Sequence, residues 1–183
     1  MRKYARDYEI KDSEDENGHK KSELAYIGKY YELELDTPEL IRFKKISFLL
    51  LAFIAIFHIG SGFLSNRGMY QLYVALPYAL AFFPLVYLTE GILRLPKEKR
   101  KYRHDEIGNS FDRMRTSIYF LIALLGIALL GEIVFLMFFS DKVQRPMDFL
   151  YLALEMVAFV AAFFMGIRHK KIKIRTSAQE GQL

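Results

Sequence analysis

Cysteine is missing from this 183-residue chain. Its absence excludes disulfides, thiolate nucleophiles, Cys-ligated zinc and quinone-coupled disulfide exchange together. The sequence also lacks a phosphate-binding loop, an HExxH pair, a nucleophile elbow and a dinucleotide fingerprint, and no internal repeat is visible. The most informative lack is local. Lys and Arg vanish from four stretches, 46–64, 69–93, 117–139 and 147–167, once the flanks are trimmed.

What fills those stretches is apolar. Each approaches the ~20 residues that a helix needs to cross ~30 Å of hydrocarbon. The expected fold class is therefore an all-α membrane protein, a four-transmembrane-helix bundle with a small N-terminal cytoplasmic β-hairpin. The chain is 52% hydrophobic and 26% charged, values ordinary for a soluble domain but here segregated along the sequence. The expected domains are the hairpin segment 1–36, the bundle 37–168 with a basic cytoplasmic loop 94–116, and a basic tail 169–183, partly disordered. The first apolar run follows 45 polar residues, an arrangement expected of an uncleaved anchor and not of a cleavable signal peptide.

Loop charge orients the bundle. Sixteen Lys and Arg flank the runs on one side, namely Arg42, Lys44 and Lys45 just before the first run, eight in the central loop and five just after the last; three (Arg67, Lys142, Arg145) lie in the other two loops. The positive-inside rule then places both termini in the cytoplasm of a multi-pass protein of the plasma or inner membrane. The outer loops are short, Ser65–Gly68 and Ser140–Pro146, so helices 1–2 and 3–4 are expected to form antiparallel hairpins. The basic run Lys97–His104 is read as a contact for anionic headgroups. Nucleic-acid binding is the less favoured account of it.

In the N-terminal segment, Tyr4, Tyr8 and Ile10 alternate with charges, and Ile27, Tyr31, Leu33 and Leu35 share a face within 24–35. Two strands joined by a turn at Asn17-Gly18 follow from that pattern, with Gly28 marking a bulge or bend. Thr37-Pro38-Glu39 is a helix start in which Thr37 caps. Ile107, Phe111, Met114 and Ile118 form one stripe on an expected interfacial helix feeding the third span. Tyr70, Tyr73, Tyr102, Tyr119 and Tyr151 fit an aromatic belt.

The candidate site is intramembrane. Ionisable groups inside a bilayer cost a few kcal/mol each on insertion scales, roughly 2.5–3.5, and usually face the bundle interior. At 1.5 Å rise per residue, His58 lies about 18 Å, Glu132 about 22 Å and Glu155 about 18 Å from the cytoplasmic edge, level with Tyr78. These four residues are the expected binding site. His58, Glu132 and Glu155 are the candidate ligands for Zn²⁺ or Mn²⁺, or the set that exchanges a proton; the bland alternative is that they fix helix packing. Glu155, Ala158, Ala162 and Gly166 follow the small-residue spacing of a close helix contact. Asp148, two turns above Glu155, is a possible polar access point. Pro77 and Pro84 are expected to free carbonyls that could line a cavity. Glu90 is expected to pair locally with Arg94.

Three functions are compatible with this reading. The leading one is a non-enzymatic accessory or assembly subunit of a membrane complex, with membrane lipids and another membrane protein, or its own copy, as partners. The second is a small oligomeric transporter or channel for protons or divalent cations built on the His/Glu/Glu/Tyr cluster. The third is a membrane-embedded lipid-modifying enzyme using the same carboxylates as acid and base.

Overall fold

The computed structural model describes residues 2–14, 20–139 and 145–177. In chain order the strands are β1 (Tyr8–Glu14), β2 (Lys20–Tyr26), β3 (Tyr30–Leu33), β4 (Tyr102–Arg103) and β5 (Ile174–Thr176). The helices are α1 (Thr37–Ser61), α2 (Leu72–Leu93), α3 (His104–Ile107), α4 (Arg113–Phe138) and α5 (Arg145–Lys170). A π segment, Gly108–Asp112, joins α3 to α4, making one rod His104–Phe138.

Among the described residues three helices are long and apolar enough to cross a membrane: Leu72–Leu93, His104–Phe138 and Pro146–Lys170. The chain is thus membrane-embedded by length and composition. The fourth expected span falls in α1, which is not among those three. Charged residues occupy its first turns, and it ends at Ser61, three residues short of the expected limit.

Periodicity explains the packing. In α1 the buried residues Leu40, Phe43, Ser47, Leu51, Ile54, His58 and Ser61 recur every three or four positions, one face of a 3.6-residue helix. The rest of its surface is apolar too: Phe48, Leu49 and Ile56 are exposed. Helices apolar on all sides suit a hydrocarbon surround. The helices close a ring, with α2 on α4, α4 on α5 and α5 on α1. Helices α1 and α2 run antiparallel, Lys44 near Leu93 and His58 near Tyr78, although α1 packs more extensively on α5.

Glycines set the closest approaches. A Cβ on Gly131 of α4 would lie 2.9 Å from the Tyr73 carbonyl of α2. That carbonyl is the one Pro77 frees, so it packs against a helix where a cavity lining was expected. Gly60, by contrast, has open space around it. Gly131→Val is therefore expected to cost about 1–3 kcal/mol by overpacking. Gly60→Ala is expected to gain roughly 0.5–1 kcal/mol from lower backbone entropy. Unfolding in detergent micelles measures both; equal effects at the two sites would refute the close approach.

The segments outside the long helices differ from expectation. β1 and β2 form the antiparallel hairpin, pairing Tyr8 with Tyr26 and Ile10 with Leu24. Its Asn17-Gly18 turn lies outside the described residues. Tyr4 belongs to a 3₁₀ turn, Arg2–Asp7, and not to a strand. The stretch 24–35 is two strands, broken where the Ile27 and Gly28 amides both donate to the Asp7 carbonyl. β3 leaves the hairpin and joins a second sheet ordered β4-β3-β5. Part of the tail is therefore a strand, Thr176 included.

Helix α1 is capped from Asp36, whose amide donates to Glu39 Oε2 at 3.2 Å, and not from Thr37. Thr37 instead accepts from the Lys99 amide at 3.1 Å. Lys44 Nζ donates to the carbonyls of Leu93 and Leu95 at 3.0 and 2.5 Å, closing the C-terminus of α2. The stripe Ile107, Phe111, Met114 and Ile118 is buried within the bundle, so this segment is no free interfacial helix. Tyr102, on β4, is also buried and donates to the Glu98 carbonyl, outside any belt.

Candidate functional site

The apolar stripe of α1 ends in polar residues. His58 and Ser61 occupy the core face at the end away from the charged first turns, where they meet Glu155 of α5. His58 Nδ1 lies 3.0 Å from Glu155 Oε1 and 3.1 Å from Oε2. The Ser61 hydroxyl donates to the same carboxylate and, as the alternative acceptor, to the His58 carbonyl at 2.7 Å. The Tyr78 hydroxyl of α2 donates to the His58 carbonyl at 3.0 Å, and the two rings stand 4.4 Å apart. His58, Ser61 and Glu155 are fully buried. Three helices are thus tied through one imidazole and one carboxylate. With Nδ1–H donating to Glu155, the other ring nitrogen, Nε2, is buried without a partner.

Glu132 stands apart from this knot. It projects from α4 beneath the 65–70 loop, where a Cβ on Gly68 would collide with the Glu132 carboxylate. Asn66 and Asp148 are its polar neighbours. Asn66 Oδ1 accepts the Gly68 amide at 2.5 Å, and Asp148 Oδ1 accepts the Arg67 amide at 2.8 Å, so both fasten the loop as a cap. Among the described residues neither Glu132 oxygen is within hydrogen-bond geometry of a partner, although the residue is 0% exposed and the Asn66 side chain stands next to it as a donor.

The expected site is thus divided. His58, Tyr78 and Glu155 are in contact, and Glu132 occupies a neighbouring pocket of side chains. Among the described residues no three His, Asp or Glu side chains form a group that could hold a metal ion, so the expected His58/Glu132/Glu155 ligand set is not assembled.

Tyr151 joins the two parts. It is fully buried, which corrects its place in an aromatic belt. Its ring is 6.2 Å from that of Tyr78, and it feels both Glu155 and Glu132 electrostatically. Its hydroxyl has no partner. A sequence signal for it existed: Asp148, Tyr151, Glu155, Ala158 and Ala162 recur at spacings of three, four, three and four, and all are buried. Asp148 belongs to that stripe and so to the cap; it is buried at the loop and opens no path. Asn66 carries no such signal, because a residue in a short loop has no helical phase.

The ion pair expected at Glu90 is present, with Arg94 Nη2 at 2.6 Å. Its other oxygen pairs with Arg113, joining α2 to α4, a contact that sequence spacing did not suggest. No family model, curated protein or solved structure matches this chain.

Proposed function

We propose that this is a four-span membrane protein with both termini in the cytoplasm, acting as a non-enzymatic accessory or assembly subunit. One observation carries the reading. Three segments far apart in sequence, at β3, β4 and β5, are knitted into one small sheet, and the hairpin stands beside it. The chain thus concentrates its non-helical structure at one end of the bundle. The outer edges of such a sheet offer unpaired backbone groups to a partner strand. The polar knot of His58, Ser61, Tyr78 and Glu155 supports the same reading, because its groups bond to one another and so serve packing.

The absence of cysteine makes the test clean. Single cysteines at Ser65 and Ser177 are expected to react with an impermeant maleimide from outside and only after permeabilisation, respectively. A photo-crosslinker at Arg175, on the edge strand β5, is expected to give one discrete adduct in native membranes. The same probe at Phe63, at the opposite end of the bundle, is expected to give none. External labelling of position 177 would overturn the topology. A clean monomer with the Arg175 probe, repeated in several mild detergents, would overturn the accessory role.

A second reading, proton or cation transport by an oligomer, is favoured by the two unpartnered Glu132 oxygens alone.

A further inference from the structure

A wide concavity lies away from the polar knot. It is a groove of about 1360 Å³ between α2 and the α3–α4 rod, roofed by the N-terminal hairpin. It exceeds the ~300–1,000 Å³ typical of small-molecule pockets. Its position matters as much as its size. One end opens along the apolar flanks of two membrane-crossing helices, and the other lies among the charged residues of the central loop.

The groove wall on the α3–α4 rod is a single stripe. Asp105, Gly108, Asn109, Asp112, Arg113, Thr116, Ser117 and Phe120 all line it, at the three- and four-residue spacing of one helix face. Read from the membrane outward, that stripe runs aromatic, hydroxyl, cation, carboxylate. Phe120 is about 10 Å along the axis from Arg113, which in turn is about 12 Å from Asp105. The α2 wall repeats the order, from Phe83 through Tyr87 to Arg94. The π segment adds backbone within this stripe, a device that re-aims side chains and is frequent at functional sites. The roof contributes the cross-strand pair Ile10 and Leu24, each 70% exposed.

Each part of that order has a counterpart in one class of molecule. An apolar wall at membrane depth accepts acyl chains. Arg94 and Arg113, held side by side by Glu90, stand where a phosphate would follow. Arg113 also lies 5.7 Å over the Tyr87 ring, which fixes its position. Beyond the arginines come the carboxylates of Asp105 and Asp112, suited to an amine. The lining and its Glu90 clamp carry two positive and three negative charges, so an anionic headgroup would meet no net attraction. We propose that this groove binds a membrane phospholipid with a zwitterionic, primary-amine headgroup of the ethanolamine type, entering sideways from the bilayer. The proposal does not rest on the accessory role.

The full chain, reconstituted in nanodiscs of equal parts ethanolamine, choline and glycerol phospholipid, is released into mild detergent for native mass spectrometry of the retained lipid. Ethanolamine lipid is expected about fivefold enriched over either alternative, the ratio that ~1 kcal/mol of headgroup contact gives. Asp105→Asn with Asp112→Asn is expected to abolish that preference while lipid of all classes is still retained. Phe120→Asp is expected to reduce retention of every class. A readout independent of variants is the wild-type melting temperature, expected to be higher in ethanolamine-lipid discs than in glycerol-lipid discs. Retained lipid matching the disc composition, a preference for the glycerol lipid, or an amine preference untouched by the double variant would each overturn the proposal. So would a crosslinker at Leu24 that captures a polypeptide in place of lipid.

Discussion

Glu155→Ala is expected to destabilise the folded protein by about 1–3 kcal/mol, the cost of leaving a buried hydrogen-bond donor without its acceptor. The magnitude distinguishes two accounts of the polar knot. Ordinary interhelical hydrogen bonds in membrane proteins average only about 0.6 kcal/mol, because the unfolded helices find other polar partners in the bilayer. Glu155 has more at stake. It accepts from both His58 and Ser61 at full burial, and His58 has no second side-chain partner to fall back on, since its Nε2 is already unpaired. Removing the carboxylate leaves the imidazole stranded, while the Ser61 hydroxyl keeps the His58 carbonyl as its acceptor. A double-mutant cycle with His58→Ala isolates the pair, and the expected coupling is about 1.5–3 kcal/mol, the range for hydrogen bonds to charged groups. Unfolding in detergent micelles gives both numbers. A cost near 0.6 kcal/mol with no coupling would reduce the knot to incidental contact.

Glu132→Met is expected to act in the opposite direction, raising stability by about 1–3 kcal/mol, the desolvation penalty of a buried polar group left unmatched. Met has nearly the length of Glu and no acceptor to satisfy. An unbranched replacement of similar length follows the path of the Glu132 side chain beneath Gly68. Natural proteins keep destabilising polar groups where function demands them. The same variant therefore tests the transport reading. Reconstituted proton or divalent-cation flux that is present in the wild type and lost in Glu132→Met, together with the gain in stability, would establish a functional carboxyl. A loss of stability would instead reveal a partner for Glu132, such as bound water, that geometry between side chains does not supply.

Hydrophobicity and helical phase made much of this protein legible in advance. The long apolar stretches are local properties, and three of them became helices able to cross a membrane, two within three residues of the expected limits and one, His104–Phe138, begun well before its expected start. The inward direction of His58, Tyr78, Glu132 and Glu155 followed from the cost of facing lipid, and all four are buried. The β1–β2 pairing was visible because alternation and turn residues lie within 20 positions of one another.

Tertiary structure decided the rest. Strands of two and three residues at 102–103 and 174–176 have no detectable period; they exist because β3 offers them an edge. Equal depth along the membrane normal did not imply contact. Each residue turns a helix by about 100°, so residues at one level meet only if their azimuths agree, and azimuth depends on which helices are neighbours. The pairing of α1 with α5 brought His58 to Glu155, while Glu132, one helix over, turned under the loop. The graded groove arose in the same way: its two walls are each one helix face, readable in the sequence, but their alignment was fixed by the packing of α2 on α4, close beside the groove where Gly91 meets Met114.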